Sequence, residues 1–146
     1  MKGYIAAPVV GITDQQKNDI AQIVRRVRKS LEFYSPAEMK IPNAWGMPMN
    51  EWARCVFTID VMELDKADWV IICDYGRQST AGTSWEAGYA FAKEKDILVI
   101  QMPNVNEVSL MVRNGSRACL TYKDFLDKGF DFAKKPREKD DGVVQN

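Results

Sequence analysis

The pattern of apolar and polar positions divides the chain into short apolar runs and longer segments with helical spacing. The apolar runs lie at 3–9, 31–36, 67–74, 97–103 and 117–122. Each has the length and the bounding residues of a β-strand. The run at 67–74 is apolar almost throughout, which is typical of a strand buried on both faces. Strands that alternate with helical segments predict a doubly wound parallel sheet of the α/β class.

Helices are predicted between these strands. After Asp14, which we expect to cap the first helix, apolar residues recur at positions 20, 23, 24 and 27. A second helix is expected to begin at Asn50, and a third to carry Glu86. The segment 37–49 contains two prolines and a glycine and is predicted to be a long loop. Loops of that length usually contribute to function.

Length, composition and charge limit the classes of protein that the chain can represent. Its 146 residues fit one domain, predicted at 1–133, and a charged C-terminal tail, predicted at 134–146. The 20 basic and 20 acidic residues cancel, so nucleic acid and anionic membranes are not expected partners. No apolar run approaches the ~20 residues that span a bilayer, and the N-terminus does not resemble a signal peptide. We therefore expect a cytoplasmic protein.

The reactive side chains that the chain contains limit the kinds of catalysis it can perform. The chain has no histidine, and its 3 cysteines are widely spaced among apolar residues, which suggests reduced thiols in the core. The usual general base and the commonest metal ligand are therefore both absent. We expect no metal and no cofactor. Acid–base chemistry must come from carboxylates, tyrosine or lysine.

Glu86 is an unusual residue for a helix that merely links two strands. It is expected in the first turn of the third helix, after a loop that leaves the carboxyl end of a central strand, where doubly wound sheets bind ligands. The helix dipole would favour any carboxylate there. The dipole does not explain the residues around it, since Gly82 permits close backbone approach while Thr80 and Thr83 offer hydroxyls. Asp60, on the preceding helix, supplies a second carboxylate that could converge on the same pocket.

Several motifs in order carry a resemblance to a known family. The stretch GTSWEAGYAFAKEKDILVI at 82–100 resembles the signature of the nucleoside 2-deoxyribosyltransferases. Upstream, YIAAP at 4–8, the prolines and the glutamate within 35–42, and the spaced residues of 52–68 match in the same order. The similarity covers roughly residues 3–125. It implies a flavodoxin-like five-stranded parallel sheet and an enzyme that breaks the bond between a base and deoxyribose.

The resemblance also implies roles for individual residues. In that family, the glutamate at the position of Glu86 attacks the anomeric carbon and forms a deoxyribosyl ester, which a second base then opens. Asp60 matches the aspartate that binds the base, and we assign proton transfer to it. Tyr4 matches a tyrosine that holds the nucleophile, although core packing is its simpler interpretation. Trp45 and Trp52 either wall the base pocket or belong to the core.

Two positions depart from the transferase pattern. Transferases usually carry an aspartate for the sugar's 5'-hydroxyl where this chain has Thr80, and an asparagine lent to a neighbouring subunit where it has Ser109. Small hydroxyls at these positions resemble the deoxynucleoside 5'-monophosphate N-glycosidases, which bind phosphate there. Those hydrolases also place serine and arginine in the first loop, whereas residues 7–13 contain neither.

Three functions are therefore compatible with the sequence. The first is a deoxyribosyltransferase that acts on nucleosides and nucleobases, and the second is a hydrolase of deoxynucleoside monophosphates. Either would be a homo-oligomer with active sites shared between subunits, as the resemblance implies. The third is a nucleotide-binding domain without catalysis, which the joint presence of Glu86, Asp60 and Tyr4 argues against because binding needs no nucleophile.

Overall fold

The structure is a computed structural model that describes residues 1–78 and 81–130. Within this part of the chain, five parallel strands form one sheet in the order β2-β1-β3-β4-β5. The strands are β1 (Lys2–Ala6), β2 (Glu32–Tyr34), β3 (Trp69–Asp74), β4 (Asp96–Gln101) and β5 (Ala118–Thr121). The prediction of a flavodoxin-like α/β fold is confirmed. The charged tail predicted at 134–146 lies outside the described residues, and its boundary stays a prediction.

Five α-helices connect or follow these strands in the described part of the chain. They are α1 (Asp14–Val27), α2 (Met49–Lys66), α3 (Ala81–Ala92), α4 (Leu110–Asn114) and α5 (Tyr122–Lys128). None of the described helices is long and apolar enough to cross a membrane. The predicted loop at 37–49 is mostly irregular, with two short 3-10 turns, and leads directly into α2.

The sheet separates two apolar clusters because successive side chains of a strand point to opposite faces. Ile5 of β1 packs with α1 and α5 on one face, while Tyr4 and Ala6 pack with α2 and α3 on the other. All six residues of the central strand β3 are buried, as its unbroken apolar sequence predicted. Gly3 of β1 allows the ring of Phe33 to lie against the backbone, since a Cβ there would stand 2.0 Å from that ring.

Three boundaries differ from the predictions. Helix α1 is capped by Thr13, whose side chain accepts from the N–H of Gln16 while the Gln16 side chain accepts from the N–H of Thr13. Asp14 is instead the first helical residue. Helix α2 begins at Met49 after Pro48, so Asn50 lies inside its first turn. The edge strand β2 is three residues long, because the chain turns into a 3-10 helix at Pro36.

Candidate active site

Glu86 lies in the second turn of α3, which begins at Ala81. The prediction that it occupies the first turn is wrong, and the described first turn of α3 contains no acidic residue. The stabilisation of a carboxylate by the helix dipole falls off within the first turn, so the dipole of α3 does not account for a carboxylate in the second turn. Glu86 is partly buried, next to the buried residue Ala87. Another interaction must compensate for the burial of its charge.

The hydroxyl of Tyr4 supplies that interaction. Tyr4 is fully buried at the middle of β1, and its Oη donates a short hydrogen bond to Oε2 of Glu86. Burial and the adjacent Glu86 carboxylate raise the pKa of Tyr4, which keeps the phenol protonated as a donor. Tyr4 is therefore both a core residue and a hydrogen-bond partner of Glu86, so the two interpretations of its sequence position are compatible.

Asp60 of α2 completes a cluster of two carboxyl groups around the Tyr4 hydroxyl. Burial raises the pKa of Asp60 to about 6, and the Tyr4 hydroxyl partly opposes that rise. Burial raises the pKa of Glu86 to about 7; the hydrogen bond from Tyr4 opposes this rise, while the charge of Asp60 adds to it. The structure thus brings Tyr4, Asp60 and Glu86 together. Near neutral pH the two carboxyl groups tend to retain one proton between them.

The cluster lies on one face of the sheet rather than beyond the ends of the strands. Tyr4 is the third residue of β1, and the helices that cover it are α2 and α3. The ligand crevice expected at the carboxyl end of β3 stays a prediction.

The remaining residues predicted near the third helix have different surroundings. Thr80 lies outside the described residues. Gly82 is exposed in the first turn of α3, and Thr83 is buried beside it. Gly88 is exposed, and a Cβ there would meet no described atom within 4 Å. Ala90 is fully buried and makes the close contact with the sheet.

Ser109 does not join the cluster within one chain. It is the N-cap residue of α4 and is exposed to solvent. It lines a cleft of about 790 Å³ beside the start of α1, and a second of about 420 Å³ between α3 and α4. Neither cleft is lined by Tyr4, Asp60 or Glu86.

The two tryptophans predicted from the loop and α2 are outside the core. The relative exposure of Trp45 is 103% and that of Trp52 is 39%. The core interpretation is therefore wrong for both residues. Their exposure leaves the alternative interpretation, a wall for a bound base, as a prediction.

Tyr34 is a residue of the site that the sequence analysis missed. It pairs in register with Tyr4 on the neighbouring strand, and the two ring centroids are 5.7 Å apart. Burial, followed by the charges of Asp60, Glu63 and Glu86, raises the pKa of Tyr34 to about 12. A tyrosine in the short run before Pro36 was the available signal, but the register of β2 against β1 was needed to interpret it.

Among the described residues, no group of three or more histidine, cysteine, aspartate or glutamate side chains could hold a metal ion. Cys73 is buried, as predicted for a core thiol, and burial raises its pKa to about 12. Cys55 and Cys119 are partly buried.

The strand order and the two-carboxylate cluster define an α/β protein of flavodoxin-like fold with a site suited to chemistry at carboxyl groups. Over residues 4–119 the sequence matches the family of nucleoside 2-deoxyribosyltransferases, and the chain belongs to that family. Family membership indicates an enzyme of the deoxyribosyltransferase or N-glycosidase type. A search of curated proteins found no match to the chain.

Solved structures share the fold at low sequence identity. A 2-deoxyribosyltransferase from Bacillus psychrosaccharolyticus superposes with a TM-score of 0.75 at 23% identity, over 94% of this chain and 98% of that one. A CMP N-glycosidase from Clostridium botulinum gives a TM-score of 0.61 at 20% identity, over 88% and 96%. A conserved protein from Enterococcus faecalis gives 0.66 at 16% identity, over 87% and 95%. The transferase and the glycosidase thus share one architecture with this chain.

Proposed function

We propose that the protein cleaves the N-glycosidic bond of 2'-deoxyribonucleosides and transfers the deoxyribosyl group to another nucleobase. The observation that carries this proposal is a glutamate, Glu86, held by the buried Tyr4 hydroxyl beside a second carboxyl group, Asp60. A binding protein gains nothing from a buried pair of acids. A glycosyl-transferring enzyme needs one carboxylate as nucleophile and one acid as proton donor.

The first half-reaction joins Glu86 to the sugar. An oxygen of the Glu86 carboxylate bonds to the anomeric carbon as the bond from that carbon to the base nitrogen breaks. The electron pair of the broken bond leaves with the base, and the Asp60 carboxyl group donates a proton to the base. The transition state resembles an oxocarbenium ion, so the negative charge of Glu86 stabilises it before the ester forms.

The second half-reaction reverses these roles. A nitrogen of the acceptor base attacks the anomeric carbon, the ester bond breaks, and Glu86 leaves as a carboxylate. The acceptor's N–H proton passes to Asp60, which restores the starting state. The active form is therefore the singly protonated pair with Glu86 ionised and Asp60 protonated, which is the minor of the two singly protonated forms because the pKa of Glu86, about 7, exceeds that of Asp60, about 6. Since both pKa values are raised, we expect a bell-shaped pH profile with its maximum between about pH 6 and 7.

A product analysis tests the proposal directly. The protein is incubated with each 2'-deoxyribonucleoside, with and without a second base, and the products are separated chromatographically. We expect a new nucleoside that forms only when the acceptor base is present. Failure to release base from any deoxynucleoside would contradict the proposal.

A 2'-deoxynucleoside 5'-monophosphate N-glycosidase is the second candidate. Thr80 and Ser109 favour it, because small hydroxyls replace the side chains that transferases use, and an aspartate at position 80 would repel a dianion. The structural similarity to a CMP N-glycosidase is compatible with it. Water would then open the ester on Glu86, leaving deoxyribose 5-phosphate as the product.

The variant Thr80→Asp separates the two candidates. If position 80 contacts a 5'-phosphate, the added carboxylate should suppress cleavage of monophosphates and spare free nucleosides. Gln78→Asp is the matched control, since it adds the same charge two residues earlier at an exposed position. A wild-type enzyme that prefers nucleosides, together with an unchanged preference in Thr80→Asp, would eliminate the phosphate hypothesis.

We also propose that the active site is completed by a second copy of the chain. Ser109 lines a cleft with Ser84, Ala87 and Gly88 of α3 but not with Glu86, while α4 beside it exposes Leu110 and Met111 at 76% and 81%. Exposed apolar residues also include Phe57 and Phe91 of α2 and α3. Apolar patches of this kind on a soluble domain are typical of subunit contacts.

Complementation between inactive variants tests the shared site. Glu86→Ala and Ser109→Asp are each expected to be inactive, and mixed oligomers should regain activity because one site then combines both native residues. Light scattering establishes the oligomeric state in parallel. A monomer, or mixed oligomers that stay inactive, would exclude a site shared through Ser109.

A further inference from the structure

Two buried polar atoms of the cluster have no hydrogen-bond partner among residues 1–78 and 81–130. They are the hydroxyl oxygen of Tyr34 and Oδ1 of Asp60. Buried polar atoms are nearly always paired with protein or water, and leaving one unpaired costs about 1–3 kcal/mol. The two atoms do not bond to each other directly, but one water molecule between them would satisfy both.

The register of the sheet places Tyr34 on the same face as Asp60. Tyr34 lies directly opposite Tyr4 in the pairing of β2 with β1, and paired residues of adjacent strands project to one face. The two rings are tilted by 33°. Helix α2, which carries Asp60, contacts β1 on this face. The influence of Asp60 on the pKa of Tyr34 also shows that the two groups are near each other.

The two atoms are chemically complementary. The phenol of Tyr34 can donate a proton that no described atom accepts, and a carboxyl oxygen accepts up to two hydrogen bonds. Tyr4 leaves Oδ1 of Asp60 unpaired, because it donates its proton to Oε2 of Glu86. Tyr34 stays a donor at neutral pH, since burial and the surrounding acids raise its pKa to about 12.

We propose that the Tyr34 hydroxyl donates a hydrogen bond to a water molecule, which in turn donates one to Oδ1 of Asp60 and so holds the other carboxyl oxygen toward the base. Tyr34 is thus a positioning residue that acts through Asp60. This inference rests on the proposed function for its effect on turnover, but the contact itself does not depend on that function.

The groups that face Asp60 are all acidic or phenolic. They are Tyr4 from β1, Tyr34 from β2, Glu63 from α2 itself, and Glu86 from α3. A donated hydrogen bond stabilises the ionised form of a carboxyl group and lowers its pKa. Removing the Tyr34 hydroxyl should therefore raise the pKa of Asp60.

The variant Tyr34→Phe tests the contact while the ring that packs against Tyr4 is kept. The carboxyl carbons of aspartate are labelled with carbon-13, and their chemical shifts are followed by NMR from pH 3 to 9 in the wild-type protein and in the variant. We expect the pKa of Asp60 to rise by about one unit in Tyr34→Phe. An unchanged titration of Asp60 would overturn the proposal.

Tyr89→Phe is the matched control. Tyr89 also donates its hydroxyl proton to an aspartate of α2, with 2.6 Å between Oη and Oδ1 of Asp65, but on the exposed surface. This variant should leave the titration of Asp60 unchanged. A shift of Asp60 equal to that in Tyr34→Phe would show a general effect of removing a phenol, and would overturn the proposal.

Kinetics extend the test if the protein releases base. Tyr34→Phe should lower kcat about tenfold with little change in KM, and should move the alkaline limb of the pH profile upward. In an Asp60→Asn background the same change should have no further effect, because the group that it positions is gone. Equal effects of Tyr34→Phe in both backgrounds would contradict the positioning role. If no substrate is cleaved, the proposed function fails, and the NMR titration still decides the contact.

Discussion

The two faces of the sheet are covered by helices of opposite character. Helix α1 buries five residues, four of them apolar, and fills the core of its face. Helix α2 is longer, at 18 residues, yet Leu64 is the one buried residue in this fully described helix. Its exposed apolar residues include Met49, Phe57 and Met62. The ionisable cluster of Tyr4, Asp60 and Glu86 lies on the α2 face.

This contrast separates stability from chemistry. A helix that buries a continuous apolar stripe contributes to the free energy of folding through transfer and packing. A helix that leaves its apolar residues exposed, and that places an acid in the interior, contributes less to the stability of one protomer. We infer that the α1 face stabilises the fold, while the α2 face carries the reaction and the contact with a second copy. Each prediction below tests this division.

Removing the nucleophile should have the largest effect. Glu86→Ala is expected to lower the rate of base release by about three orders of magnitude or more, because no ester can form. Glu38→Ala is the control, since Glu38 is an exposed glutamate paired with Arg28 on the surface. The rate of base release is measured for both variants, with circular dichroism as the check of folding. Full activity in folded Glu86→Ala would remove Glu86 from the mechanism.

Removing the proton donor should come second. Asp60→Asn is expected to lower kcat by about 10²–10⁴ while KM changes little, since an amide still forms hydrogen bonds but is a poor proton donor. The alkaline limb of the pH profile should disappear, because Glu86 is then the one remaining carboxyl group of the pair. An increase in KM alone would contradict proton transfer by Asp60.

A matched pair of truncations compares the two faces directly. Ile23→Ala on α1 should lower the free energy of unfolding by about 2–5 kcal/mol, because Ile23 is fully buried. Phe57→Ala on α2 should cost less than about 1 kcal/mol in a monomer, since Phe57 is 57% exposed. Urea denaturation at several protein concentrations gives both values. If the two variants lost equal free energy of unfolding in dilute protein, the α1 face would not be the main source of stability.

The smallest expected effect is a gain in stability when Glu86 loses its charge. The pKa of Glu86 is raised from 4.5 to about 7, so the folded state binds its proton more tightly than the unfolded state does. The stabilisation from this proton is present below pH 4.5 and is lost as the pH rises through 7. Glu86→Gln stays neutral, so it should be more stable than wild type by about 1–3 kcal/mol at pH 8.

That gain should vanish near pH 4, where the wild-type glutamate is protonated. Denaturation curves at the two pH values measure it, and Glu38→Gln provides the control at an exposed site. A variant Glu86→Gln that is less stable than wild type at pH 8 would show that Glu86 is not destabilised by burial. The expected result, an inactive but more stable protein, is typical of residues retained for function.

The sequence predicted the fold well because the fold depends on local patterns. The unbroken apolar run of β3 predicted a strand that is buried on both faces. The helical spacing of Ile20, Ile23, Val24 and Val27 predicted the buried face of α1. The ends of the elements were less accurate. Thr13 and not Asp14 caps α1, because either side chain could accept the hydrogen bond and the surrounding backbone decides between them.

The resemblance identified the residues of the cluster, but only the structure gave their arrangement. The sequence position of Tyr34 could not be interpreted alone, because its proximity to Tyr4 depends on the register of two strands that are far apart in the chain. The exposure of Trp45 also could not be predicted from the sequence, since an aromatic residue in a loop has no periodicity from which burial can be inferred.

The sequence by itself determined the alternation of strands and helices, the absence of histidine chemistry and the residues that mark the family. These properties follow from local composition and spacing. The tertiary structure decided which side chains share an environment: Tyr4 and Asp60 lie with Glu86, Tyr34 lies beside Tyr4, and Ser109 lines a cleft that none of these residues lines. The physical reason is that proximity, burial and raised pKa values depend on contacts between distant segments, which exist only once the sheet has formed.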